Sequence, residues 1–243
     1  MKRQLTLFVI TGLLACGSSV ANANLLSNGN LDVTSISGQT LATPTGWIAS
    51  ANRSGTGPFS DGLSSENFAN VLAPGTTNVW GVFFKPFQGQ AVTNTITAKL
   101  FQDNPATPGL SYSLTGWAGA GANYIGLTDP TVGSFFHLEF FNAASVLLSD
   151  NALNLTLAGL GSGAPTPPAT GFGYHPFTLN GTAPATTAFV RVLAEMDNAY
   201  NNPLGGDQAF VVDAFDLEIV PEPSVISLAG LSIAGLLVLR RRR

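Results

Sequence analysis

The chain carries 243 residues, 45% of them hydrophobic, with 27 Gly, 15 Pro and one Cys. This Gly and Pro content disfavours long helices, and a lone cysteine, Cys16, excludes a disulfide framework and a cysteine metal site in the body. From Asn24 to Pro223 only Arg53, Lys85, Lys99 and Arg191 face all 14 acidic residues, a net charge of −10 that repels nucleic acid and anionic lipid.

In chain order, Lys2 and Arg3 form a positive n-region and Leu5 to Ala15 an apolar h-region. Ala21-Asn22-Ala23 is a small-x-small cleavage site, so residues 1–23 read as a secretory signal peptide and Asn24 as the mature N-terminus. A rival signal overlaps it: Leu13-Leu14-Ala15-Cys16 resembles a lipobox, in which Cys16 would be lipidated. From residue 24 to 219, short β-branched and aromatic runs alternate with Gly, Pro, Asn and Ser punctuation. Expected strands are Leu31 to Ile36, Val79 to Phe84, Ala91 to Phe101, Leu110 to Ala118 and Ser134 to Phe141. Further ones are Ser145 to Leu148, Ala152 to Leu157, Tyr174 to Leu179, Thr187 to Ala194 and Gln208 to Ile219, with a Gly/Pro-rich loop at Gly159 to Gly173. Ile96, Ala98 and Leu100 share one face of their run, and Tyr112, Leu114 and Gly116 one face of theirs. Arg191 falls on the same face as Phe189 and Leu193, which blurs the period there. Half-buried strands at this spacing predict one all-β sandwich or barrel domain.

The chain ends in three parts: Pro221-Glu222-Pro223, the uncharged run Ser224 to Leu239, and Arg240, Arg241, Arg242 and Arg243. As a helix the run reaches roughly 24 Å at about 1.5 Å per residue. That is slightly short of a hydrocarbon core of about 30 Å, but arginine stems can snorkel and extend it. The four arginines resist translocation and stay cytoplasmic. This arrangement resembles the PEP-CTERM sorting signal of Gram-negative bacteria. The resemblance implies export, transient anchoring in the inner membrane through residues 224–239, and processing near residues 221–223 by exosortase, a membrane-embedded cysteine protease. The destination it implies is the cell surface or extracellular matrix.

A second resemblance covers most of the body. Asn24 to Asp32 is similar to the opening of galactose-binding-like jelly rolls, a group that includes carbohydrate-binding modules, and Thr45-Gly46-Trp47 to the segment that often follows. Gln102 with Gly109 to Trp117, Phe136 to Asn142, Ala183 to Val192 and Ala209 to Leu217 resemble later motifs in order. The resemblance implies a single jelly-roll β-sandwich. In some modules of this group the matching positions, here Asp32 and Asp213, hold a structural calcium through carboxylate oxygens. This chain departs from the pattern with Ala214 at the second closing acidic position and the shorter Asp at 32.

His137 and Glu139, two apart on a strand, share a face and read either as an acid/base pair or metal ligands, or as a partly exposed pair with Phe136, Leu138 and Phe140 on the core side. No GxSxG, HExxH or cysteine nucleophile is present, so the body reads as non-enzymatic. A sugar site needs aromatic faces with polar groups around them. Trp117 is out of phase with Tyr112 and Leu114 and should project away from the core, with Trp80, Tyr124 and Tyr200 bordering the same surface. The first functional reading is an exported, non-catalytic surface or matrix protein associated with exopolysaccharide. The second is a carbohydrate-binding module with a defined sugar site, and the third a secreted glycoside-active enzyme.

Overall fold

The computed structural model describes residues 23–32, 43–54, 62–66, 80–86, 94–163 and 171–220. Residues 1–22, with Cys16 and Ala21, and the tail 221–243 lie outside the described residues. Among the described residues no helix is long and apolar enough to cross a membrane.

Among the described residues, eleven strands run β1 Ile48–Arg53, β2 Leu63–Glu66, β3 Gly81–Phe84, β4 Thr95–Pro105, β5 Ser111–Gly121 and β6 Gly133–Asn142. They continue as β7 Leu147–Asn154, β8 Ser162–Gly163, β9 His175–Thr182, β10 Thr187–Tyr200 and β11 Phe210–Val220. One sheet has the order β1-β4-β10-β6-β7. The other has the order β2-β3-β11-β5-β8, with β9 also paired to β5. All pairings are antiparallel except the two-residue β5–β8 ladder.

The alternation expected from the sequence builds the core. Ile96, Ala98 and Leu100 on β4, Phe136, Leu138 and Phe140 on β6, and Tyr112 and Leu114 on β5 are all at most 1% exposed. Phe136 meets Phe215 edge-on, ring centroids 5.0 Å apart, which joins the two sheets. Gly116 makes this possible, because a Cβ there would sit 2.6 Å from the Phe215 ring and 3.0 Å from Phe136.

The opening motif closes the sandwich; Leu31 and Asp32 lie in no strand, and residues 33–36 of that expected run lie outside the described residues. Leu25 donates its amide to Leu217 O, and Phe215 donates to Gly29 O. The Asn24 side chain accepts from the Leu26 and Leu217 amides and donates to Phe215 O. Gln102, 5% exposed, accepts from the Ser27 amide and donates to Ser27 O and Gly46 O. Trp47 donates its indole N–H to Asn28 O. Asn28 and Leu31 adopt φ of 52° and 57°, turn geometry incompatible with a strand starting at Leu31.

Several boundaries shift. The runs at Ser145 to Leu148 and Ala152 to Leu157 are parts of one strand, β7, flanked by turns. Three strands lie where none was expected: β1, β2, and β8 inside the expected Gly159 to Gly173 loop.

Candidate functional site

β5 and β11 lie side by side, with Thr115 opposite Asp216 and Ser113 opposite Glu218. Because Tyr112, Leu114 and Gly116 point inward, Ser113, Thr115 and Trp117 point outward. On β11 the register slips between Asp213 and Asp216, where Ala214 takes a left-handed φ of 50°. This bulge resets the alternation. Val212 and Phe215 both face the core, and Asp216 and Glu218 both face out beside Ser113 and Thr115. These four residues, Trp117 and Ala214 line a groove of about 350 Å³. β9 extends the same surface: Thr178 lies opposite Thr115, their hydroxyls 3.2 Å apart.

The groove is polar and acidic with one aromatic wall. Burial holds the Asp216 carboxyl above the usual carboxylate range, and the charge of Glu218 and a hydrogen bond to it push in the same direction. Asp216 Oδ1 is buried with no hydrogen-bond partner among the described residues. Trp117 is half-buried and packs in part against a second apolar cluster of Phe83, Phe172, Tyr174, Ala209 and Val211. An indole offers an apolar surface to the C–H face of a pyranose, while carboxylates and hydroxyls match its ring of hydroxyl groups.

The other expected aromatics do not join this surface. Trp80 is 8% exposed and Tyr124 only 1%. Tyr124 is a core residue whose hydroxyl meets Ser134 Oγ at 2.8 Å, and burial pushes its phenol far up. Tyr200 ends β10 in the opposite sheet, where its hydroxyl donates to Asp129 Oδ2 at 2.6 Å. Out-of-phase position on a strand identified Trp117; Trp80 and Tyr124 sit where no period exists to place them. Asp32 follows a segment that runs antiparallel to β11 through the Leu25–Leu217 and Gly29–Phe215 contacts, so the chain heads from Phe215 towards Asp213. Asp213 is fully buried, with Oδ1 accepting from the Ala214 amide at 2.7 Å, and Asp32 Oδ2 accepts from Asn30 Nδ2 at 2.8 Å.

The outer face of the five-stranded sheet carries a charge layer of which the strand period places only His137 and Glu139. Arg191 donates Nε and Nη2 to the two Asp103 oxygens at 2.6 and 2.9 Å. Its guanidinium also lies 4.1 Å from the Phe101 centroid and 4.9 Å from that of Phe141. Phe141 stacks on Phe189 at 5.0 Å. The blurred period at Arg191 is therefore a strand with two apolar faces, one in the core and one roofed by aromatics. Beside it, His137 Nδ1 lies 3.1 Å from Asp150 Oδ1, and Nε2 lies 3.3 Å from Glu195 Oε2. Burial pulls the imidazole pKa down, but Glu195 and Asp150 outweigh it and leave it raised. Glu139 shares this face, and burial followed by the Asp150 charge raises its carboxyl.

No family model matches the chain, and no curated protein matches it. Among solved structures, the enzymatically active domain of Bacteriophage CBA120 tailspike protein 4 is similar at 12% identity and TM-score 0.49 over 81% of this chain. This chain spans 21% of that one. TmCBM61 in complex with beta-1,4-galactotriose is similar at 10% identity and TM-score 0.44, covering 82% of this chain and 100% of that one. The CBM22-1 xylan-binding domain of Paenibacillus barcinonensis Xyn10C is similar at 10% identity and TM-score 0.42, covering 83% and 97%.

Proposed function

We infer that the body is a non-catalytic carbohydrate-binding domain, carried by an exported protein destined for the cell surface or extracellular matrix. The observation that carries this reading is the groove in which Trp117 stands beside Asp216, Glu218, Ser113 and Thr115. A polymer rich in hydroxyls and free of negative charge suits a domain this acidic, which favours a neutral stretch of exopolysaccharide as the ligand. Sorting rests on the sequence of residues 221–243: exosortase would act near Pro221-Glu222-Pro223 while Arg240 to Arg243 hold the tail's end in the cytoplasm.

Tryptophan fluorescence tests the site directly. Of three tryptophans in the chain, Trp47 and Trp80 are at most 8% exposed, so a soluble glycan should perturb the emission of Trp117 alone. Titration with neutral β-glycans and host exopolysaccharide should shift and protect that emission, and Trp117→Phe should remove the response. A glycan that binds with no change in emission would move the site elsewhere. Mass spectrometry of protein from the native host should find Asn24 first and an end between Pro221 and Ser224; intact Arg243 on extracellular protein would overturn the sorting reading.

A further inference from the structure

On the outer face of the five-stranded sheet, His137, Glu139 and Asp150 form a constellation that sugar binding does not use. Two come from β6, spaced so that both side chains leave the same face. The third comes from β7, where Asp150 lies directly opposite Glu139. One ligand atom from each residue falls within 4.8 Å of the others. His137 Nδ1 and Asp150 Oδ1 are 3.1 Å apart. Two ligands of a tetrahedral ion bonded at about 2.0–2.1 Å stand about 3.4 Å apart, so this edge is already near its coordinated length.

The charge around the cluster is unbalanced. Lys99 is paired with Glu195, and Arg191 with Asp103. The one imidazole is then shared among Glu139, Asp150 and Glu195. Glu139 is half-buried, and His137, Arg191 and Lys99 act on its carboxylate through charge. On the far side of the ring, Nε2 is buried near Glu195 but not aligned for a hydrogen bond. An imidazole and two carboxylates whose ligand atoms converge within 4.8 Å form a cation's ligand set once the imidazole gives up its proton.

We propose that His137, Glu139 and Asp150 bind a first-row divalent cation, with zinc as the representative ion. One nitrogen and two carboxylates favour such an ion over calcium, whose ligands are all oxygen. Three protein ligands leave a fourth position open. The ion would cross-link β6 to the edge strand β7. It occupies the opposite sheet from the Trp117 groove and is independent of glycan binding there.

The purified body, residues 24–220, should bind zinc in isothermal titration and gain melting temperature on zinc addition, the gain being reversed by chelator. Glu139→Gln and Asp150→Asn keep the side-chain shapes and should each weaken zinc at least about tenfold, since even outer partners of a ligand are worth about 10–100-fold. Histidine NMR gives a readout that folding alone cannot mimic. Zinc should move the His137 ring signals and leave His175, the only other histidine, in place. Wild-type protein with unshifted His137 signals at millimolar zinc would overturn the proposal. So would folded Asp150→Asn protein that binds zinc as tightly as wild type.

Discussion

Gly119 is the position at which one added methyl group should be felt most widely. A Cβ there would stand 2.2 Å from the backbone oxygen of Phe172 and 3.2 Å from the Tyr174 amide nitrogen. Both obstacles are backbone, so no side-chain rotation relieves them. Gly119→Ala therefore forces the turn at Gly171–Gly173 to retreat by about 1 Å, an overpacking that costs about 1–3 kcal/mol. The turn has little slack, since Phe172 and Gly173 both hold positive φ, 68° and 56°. If it lifts fully, Phe172 and Tyr174, now 3% and 7% exposed, lose burial worth about 1.5–3 kcal/mol each. The edge-on contact of Phe172 with Phe83 at 5.0 Å goes with it. A loss of about 2–3 kcal/mol is expected, or roughly 4–12 °C in melting temperature for a domain of this size. Thermal unfolding measures the loss, and acrylamide quenching should rise because Trp117 packs against the same cluster. An unchanged melting temperature with unchanged quenching would refute the close approach of this turn to β5.

Three further outcomes follow from the geometry. Lys85 pairs with Glu66, whose side chain is fully buried; Lys85→Met should cost about 3–5 kcal/mol by stranding that charge, and Glu66→Gln added to it should recover a large part in denaturant melts. Asp216 is held above the usual carboxylate range by burial first and Glu218 second, so in a carboxyl NMR titration Glu218→Gln should lower its midpoint without restoring the ordinary value. Because the folded state holds that proton more tightly, its contribution to stability is complete below the unfolded value of about 3.9 and fades as pH rises through the raised folded value. If Asp32 and Asp213 hold a calcium, calcium should raise the melting temperature of the body by mass action and Asp213→Ala should remove the increment; identical curves in calcium and chelator would dismiss that site.

The parts of the fold that were legible are those with a period. β4, β5 and β6 alternate cleanly, and their inward residues are the core. β1 and β2 were not legible because their environment is set by partners distant in sequence. Ile48 opens β1 yet is 54% exposed, and β2 buries Ser64, Ser65 and Glu66 almost completely. A polar buried strand has the composition of a loop; here Lys85 and Ser64 partner Glu66, and the β3 ladder pairs the backbone. Asp150 escaped notice for a related reason: its place opposite Glu139 is a matter of register, set by the Asn142–Val146 turn. Trp117 was legible because one phase argument sufficed. The opening and closing motifs were legible as motifs, but not that Asn24, Gly29 and Gln102 bond to backbone.

The position of β11 bears on how the chain comes to be folded at all. It is the last strand in sequence, yet it lies between β3 and β5 and supplies Phe210, Val212, Phe215 and Leu217 to the interior. The opening segment also needs it, since Leu25 and Gly29 bond to its backbone. A chain emerging N-terminus first from a ribosome therefore presents the ten earlier described strands before they can close. The opening segment must wait for β11, a topology that folds slowly because its decisive contacts span almost the whole chain. The wait leaves the facing edges of β3 and β5 open in the interval, and a chain cut short before Phe210 would expose both as templates for aggregation.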